Sequence, residues 1–172
     1  MSSRLVPAMQ RALVKAGWAA LRFNFRGVGR SEGSFDDGVG EVADVLGAFE
    51  VARQAQDGPI AAVGWSFGAL IALNAVAKDS EVDSFAGVAP PARRAFTGEM
   101  VMPPIADLDG WRARALIVCG GNDPICRPKD AEALATQLPP PADVRVIEGA
   151  DHFFAGLEDE LCAVVAEFVT GG

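Results

Sequence analysis

The most restrictive feature of this sequence is a strand that runs into a helix with almost no loop between them. An apolar strand pattern at Ile60–Trp65 and an apolar helix pattern at Phe67–Lys78 are separated by Ser66 alone. Glycines flank this serine in Gly64-Trp65-Ser66-Phe67-Gly68, which leaves room for the strand and the helix to approach each other. Such a strand–helix unit is typical of α/β folds.

Strand and helix patterns alternate along the rest of the chain as well. Further strands are predicted at Ala19–Phe25, Asp83–Val88, Ala115–Cys119 and Val144–Ile147. Further helices are predicted at Leu5–Ala16, Glu41–Arg53, Lys129–Gln137 and Leu157–Val169. The alternation predicts a three-layer α/β sandwich, in which a mostly parallel sheet of about five visible strands is covered by helices on both faces.

No linker, repeat or low-complexity tract divides the chain, so a single domain over residues 1–172 is predicted. One stretch, 89–113, is irregular, since Pro90–Trp111 holds four prolines and two methionines. We expect this stretch to form a cap-like insertion that overhangs a pocket.

Composition and charge exclude several classes of protein. Half of the 172 residues are hydrophobic and 22% are charged, so a sizeable core can form and a disordered polymer is excluded. The 15 Lys and Arg residues against 23 Asp and Glu residues give a formal net charge of −8, which repels phosphate backbones and anionic lipids. Ala69–Ala77, the longest near-apolar stretch, is too short to span a bilayer, and the N-terminal residues do not resemble a signal peptide. We therefore expect no nucleic-acid or membrane partner.

Cysteine and histidine counts limit the chemistry further. Three cysteines, Cys119, Cys126 and Cys162, show no Cys-x-x-Cys spacing, which predicts reduced thiols in a cytoplasmic protein without a disulfide framework. His152 is the single histidine of the sequence, so a mechanism that needs two histidines, as in most zinc hydrolases, is excluded by count. We expect neither a metal nor an organic cofactor.

The Gly-x-Ser-x-Gly pattern between a strand and a helix is that of a nucleophile elbow. The sharp turn strains the serine backbone and lifts the Ser66 hydroxyl out of the sheet. It also aims the amide N–H of Phe67 at a developing oxyanion. The alternative interpretation is a glycine-rich turn in which Ser66 only caps the helix.

A serine nucleophile needs a base, and the base needs a carboxylate to orient it. His152 follows the strand Val144–Ile147, at the sheet edge where ligands bind in such folds. Asp123 follows the strand Ala115–Cys119 and is the predicted carboxylate, with an Asp-Pro turn as the alternative. Asp151 is the competing carboxylate, and we interpret it as a residue that orders the loop.

Three stretches of the sequence resemble small bacterial α/β-hydrolases, closest to the dienelactone-hydrolase-like and serine-aminopeptidase-like branches. They are Arg22–Gly33 (RFNFRGVGRSEG), Gly64–Gly68 (GWSFG) and Gly149–Phe154 (GADHFF). The resemblance covers nearly the whole chain and implies a carboxylic ester hydrolase or related acyl hydrolase without cofactors. Its implied site is a triad of Ser66, His152 and Asp123, with Phe67 giving one oxyanion N–H. Its implied substrate is a small molecule with an ester, lactone, thioester or amide bond, cleaved through an acyl-enzyme on Ser66.

The N-terminus departs from that family. Relatives usually carry two or three strands before the helix that resembles Leu5–Ala16, and the loop after the third strand supplies the second oxyanion N–H. We expect an N-terminally shortened hydrolase whose upstream coding sequence would encode a strand and a His/Gly-rich loop. The alternative is a catalytically weak or inactive binding or scaffold protein that lacks the oxyanion loop. Exposed sheet edges would favour a partner or a homo-oligomer, and the oligomeric state is open.

Three weaker features of the sequence do not indicate a second function. The spacing Gly27-Val28-Gly29-Arg30-Ser31-Glu32-Gly33 is not that of a dinucleotide-binding loop, and we expect Arg26 and Glu32 to pin a turn there. Arg93-Arg94 is either a solvated pair or a carboxylate-binding pair. Whether Cys126 lines the pocket is open.

Overall fold

A parallel sheet of four strands, in the order β1-β2-β3-β4, forms the centre of the fold. The structure is a computed structural model that describes residues 4–91 and 105–171. The strands are β1 Ala61–Trp65, β2 Ser84–Val88, β3 Arg114–Gly120 and β4 Asp143–Ile147. The helices are α1 Leu5–Lys15, α2 Val39–Ala55, α3 Phe67–Val76, α4 Pro128–Ala135 and α5 Glu158–Thr170. Helices cover both sides of this sheet, which confirms the predicted α/β sandwich.

The strand register brings the carboxyl ends of all four strands to one edge. Val63 pairs with Ala86, and Ala86 pairs with Leu116, so the first three strands run in step. Val118 then pairs with Arg145 across the last two strands. In parallel α/β sheets the loops beyond this edge form the ligand site.

Burial explains why these segments fold as they do. The residues of β2 are all buried, and β3 is buried from Ala115 to Gly120, as expected for strands covered on both faces. By contrast, β4 alternates exposed and half-buried residues up to the buried Ile147, as an edge strand does. Apolar α3 packs on β1 and β2 and is itself covered by α2, while α1 packs on α5. Each of these elements begins and ends within two residues of its predicted bounds.

The predicted strand Ala19–Phe25 is wrong. Among the residues that the structure describes, this segment pairs with no strand, so the sheet has four strands rather than five. Its alternating side chains are also only partly covered: Leu21 is 54% and Phe23 41% exposed, whereas Phe25 packs on the Phe67 ring at 5.9 Å. The prediction depended only on the alternating pattern. A strand also needs a neighbouring backbone with which to form hydrogen bonds.

Most of the predicted insertion at 89–113, including Arg93 and Arg94, lies outside the described residues. The described end of this stretch is anchored on α3, where buried Asn74 accepts a hydrogen bond from the Ala106 amide at 2.8 Å. In the described ranges, no helix is both long enough and apolar enough to cross a membrane.

The glycine-rich loop after Phe25 is held by an ion pair between Arg26 and Asp44 on α2. The Arg26 guanidinium donates to both Asp44 oxygens, with the shortest contact at 2.8 Å, and the Arg26 amide donates to Asp44 Oδ2 at 2.9 Å. A methyl group at Gly40 would overlap the guanidinium, so a side chain at this position would displace the Arg26 head group. Arg26 therefore holds the turn, as expected, through its bonds to Asp44. Glu32 contributes through its backbone, because its carbonyl accepts from the Gly27 amide.

We expect Asp44→Asn to lower the free energy of unfolding at neutral pH. The hydrogen bonds from Arg26 lower the pKa of Asp44, so this carboxylate stabilises the fold above its unfolded pKa of about 3.9. That contribution is lost as pH falls through the lower folded pKa. Urea unfolding from pH 7 to pH 2 should therefore show the wild type and the variant converging below about pH 4. Asp57→Asn, the same change at an exposed site, is the control. A difference that persists unchanged at low pH would contradict this account.

Candidate active site

The turn between β1 and α3 holds Ser66 in a strained conformation. Its φ is +54° and its ψ is −123°, values that non-glycine residues rarely adopt. The Ser66 amide donates to the Val88 carbonyl at 2.8 Å, and the Ser66 carbonyl accepts from the Ala69 amide at 2.9 Å. These bonds fix the backbone of the turn at the carboxyl edge of the sheet, as the elbow pattern predicts.

The two flanking glycines differ in how strictly they are required. A Cβ at Gly64 would lie 2.7 Å from the Ala69 Cα, so only glycine lets α3 cross this close to β1. A Cβ at Gly68 would meet only the Phe25 ring at 3.9 Å, an ordinary contact. The close approach of strand and helix therefore depends on Gly64.

His152 lies between Ser66 and Asp123 and contacts both. Its Nε2 is 2.9 Å from the Ser66 Oγ, and its Nδ1 is 2.8 Å from the Asp123 Oδ2. Both His152 and Asp123 are buried, at 6% and 2% exposed. With the ring proton on Nδ1, the imidazole donates to the carboxylate and Nε2 accepts from the serine hydroxyl. The structure thus brings together the three side chains that the sequence singled out from the ends of three strands.

The buried carboxylate of Asp123 is fully hydrogen-bonded. While Oδ2 faces the imidazole, Oδ1 accepts from the amides of Ile125 at 2.7 Å and Cys126 at 3.0 Å. A buried charge is tolerated only with such partners, and these partners also fix the plane of the carboxylate. The adjacent Asp151 contacts no imidazole nitrogen. Its Oδ1 instead accepts from the amides of Phe153 and Ala155, in keeping with a loop-ordering role.

Phe67 is the first residue of α3, so its amide has no acceptor within the helix. The side chain of Phe67 packs on the rings of Phe25 and Phe35, each at 5.9 Å. An amide at the N-terminus of a helix favours negative charge, as the predicted oxyanion role requires.

The three cysteines are buried free thiols, and Cys126 contacts the site through its backbone amide. Cys126 is fully buried, so its thiol belongs to the core rather than to the wall of an open pocket. Burial raises the pKa of the Cys119 thiol to about 11 and raises the pKa of Cys126 further, so both remain protonated at neutral pH. Within 4–91 and 105–171, no group of three His, Cys, Asp or Glu side chains could hold a metal ion.

One residue that contacts His152 had no role in the sequence analysis. Trp65 donates its indole Nε1–H to the His152 carbonyl at 3.1 Å, and the two rings lie 5.6 Å apart. The only sequence signal for it was its place inside the Gly-x-Ser-x-Gly pattern, where any residue type satisfies the pattern.

Comparison with known proteins assigns the family. Residues 1–116 match the family described as the alpha/beta hydrolase fold. The chain belongs to this family. It is 33% identical, over 178 aligned residues, to an uncharacterized protein of Rickettsia prowazekii, with 98% of this chain and 72% of that protein covered.

Solved α/β-hydrolase structures are similar over almost the whole chain. An alpha-beta serine hydrolase homologue from Coxiella burnetii is 31% identical with a TM-score of 0.82, and the match covers 97% of this chain and 76% of that one. XC6422 from Xanthomonas campestris, a serine hydrolase of this fold without a lid, is 29% identical with a TM-score of 0.82, and the match covers 99% and 74%. Like a serine hydrolase, this chain has a hydrogen-bonded Ser–His–Asp arrangement, formed by Ser66, His152 and Asp123.

We expect Gly64→Ala to lower the free energy of unfolding by about 1–3 kcal/mol, because the added methyl group pushes α3 away from β1. The matched control is Gly47→Ala on α2, where nothing lies within 4 Å of the added Cβ. That change should raise stability by about 0.5–1 kcal/mol, since alanine is the better helix former. Urea unfolding of both variants tests the pair. Equal effects would mean that the contact at Gly64 does not limit the approach of the helix.

Proposed function

We propose that this α/β-hydrolase is an acyl hydrolase that cleaves a small-molecule ester, lactone, thioester or amide through an acyl-enzyme on Ser66. The observation that carries the proposal is the unbroken hydrogen-bonded series from the Ser66 hydroxyl through His152 to Asp123, with contacts of 2.9 and 2.8 Å. The serine hydrolase homologue from Coxiella burnetii supports the same class of chemistry. No step of this mechanism uses a metal or an organic cofactor.

In the first half-reaction, the Ser66 Oγ attacks the substrate carbonyl as its proton passes to Nε2 of His152. The Asp123 carboxylate stabilises the imidazolium that results, and the amide of Phe67 stabilises the oxyanion. The imidazolium then protonates the leaving group as the carbonyl–leaving-group bond breaks. In the second half-reaction, water attacks the acyl-enzyme, gives its proton to His152 and releases the acid while Ser66 regains its proton.

We expect Ser66→Ala and His152→Ala each to lower kcat for a short p-nitrophenyl ester by at least about 10³-fold, since either change removes the activated nucleophile. A fluorophosphonate should label one site on the wild type, at Ser66, and none on Ser66→Ala. Circular dichroism checks that every protein is folded. A folded wild type that is neither labelled nor active would favour the alternative, an α/β-hydrolase-fold binding or scaffold protein without a working oxyanion site.

We expect Asp123→Asn to lower kcat by up to about 10⁴-fold. The amides of Ile125 and Cys126 require an acceptor, so the asparagine oxygen stays with them and its NH₂ group faces His152. Nδ1 must then accept, which puts the ring proton on Nε2 and leaves no acceptor for the serine proton.

The control for that change is Asp151→Asn, which removes the neighbouring carboxylate charge. An asparagine oxygen still accepts from the Phe153 and Ala155 amides, so kcat should fall less than about tenfold. Steady-state kinetics on the two variants decide the assignment. A larger loss for Asp151→Asn than for Asp123→Asn would show that the wrong carboxylate has been assigned.

A further inference from the structure

The nucleophile and the base follow the two outermost strands of the four-stranded sheet. Ser66 follows β1, and His152 lies in the loop after β4, with β2 and β3 between them. Neighbouring strands are about 4.8 Å apart, so the two strand ends are separated by about 14 Å. The loop after β4 must therefore return across the ends of β3 and β2 to bring the imidazole to Ser66.

Hydrogen bonds to the end of β3 hold the first part of this loop. The Gly121 amide donates to the Ile147 carbonyl at 2.9 Å, and the Asn122 amide donates to the Ala150 carbonyl at 2.9 Å. Asp151 orders the turn that follows. These contacts fix the loop relative to Asp123, but they do not reach β1.

Trp65 makes the connection to β1. Its Nε1–H donates to the backbone carbonyl of His152, and its ring lies 5.6 Å from both the imidazole and the ring of Phe153. Because Trp65 immediately precedes Ser66, the bond closes a small ring of contacts through the indole, the His152 backbone, the imidazole and the serine hydroxyl. The bond therefore fixes the position of His152 relative to the backbone of Ser66.

We infer that Trp65 is a positioning residue, whose indole N–H holds the His152 backbone so that the imidazole stays within hydrogen-bond reach of Ser66. A displacement of about 1 Å between reacting groups can lower a rate by about 10²-fold, so a single bond at this place affects turnover. The kinetic part of this inference rests on the proposed acyl hydrolase function. The contact itself does not, and it is tested separately.

The chain offers a matched control in Trp111. Its Nε1–H also donates to a backbone carbonyl, that of Ala113 at 2.7 Å, but Trp111 lies in the core shortly before β3. Trp65→Phe and Trp111→Phe therefore each remove one indole–carbonyl hydrogen bond and keep an aromatic ring. A merely structural role predicts that the two variants lose stability and activity alike.

The first measurement needs no activity. His152 is the single histidine of the sequence, so its ring signals in the NMR spectrum are unique. The ¹⁵N signal of Nε2, the nitrogen that faces the Ser66 hydroxyl, should shift toward that of a nitrogen without a hydrogen bond in Trp65→Phe, and it should be unchanged in Trp111→Phe. An unchanged signal in Trp65→Phe would overturn the inference, whatever substrate the protein takes.

The second measurement is kinetic, on a p-nitrophenyl ester at a temperature where all variants are folded. We expect kcat of Trp65→Phe to fall about tenfold with KM within about twofold of the wild type, and kcat of Trp111→Phe to be unchanged. In a His152→Ala background, Trp65→Phe should have no further effect on the residual rate, because the residue acts through the imidazole. An unchanged kcat, a rise in KM alone, or a loss that persists without His152 would overturn the inference. A wild type without Ser66-dependent turnover would instead count against the proposed function, and the NMR result would then decide the role of Trp65 alone.

Discussion

The close crossing of α3 over the end of β1 is the constraint on which the site depends. With no Cβ at Gly64, the helix backbone comes into contact with the strand, and the chain has only one residue in which to turn. That residue is Ser66, and its positive φ follows from the shortness of the turn. The same geometry leaves the first amide of α3 without a helical acceptor, next to the serine hydroxyl. A strained backbone at Ser66 and an unused donor therefore arise from one packing contact.

The second requirement is electrostatic. A carboxylate as buried as Asp123 is costly unless its oxygens are hydrogen-bonded, and here two backbone amides and an imidazole meet that need. The amides come from the loop that follows β3, so the orientation of the carboxylate is set by local backbone rather than by other side chains. The imidazole is in turn held between a fixed acceptor and the serine, which leaves it one productive orientation.

The sequence allowed the α/β architecture and the Ser66, Asp123 and His152 cluster to be predicted for one physical reason. Parallel strands end at a common edge, so polar residues that directly follow strands lie close together even when they are far apart in sequence. The prediction failed at Ala19–Phe25, where alternation suggested a strand but said nothing about a neighbouring backbone. The Arg26–Asp44 ion pair and the Trp65 bond to His152 were not foreseen either, because both join elements whose separation depends on packing.

The strand order has a consequence for how the protein is made. Each strand pairs with the next one along the chain, so the sheet can extend outward from β1 as synthesis proceeds. The residues around Ser66 do not follow that order, since the hydroxyl comes from the first strand end and the imidazole from the last. A nascent chain can therefore build most of its core before its serine meets a base. The imidazole reaches the serine only when β4 and the loop that follows it have docked, so the Ser66 hydroxyl of an unfinished chain has no imidazole beside it.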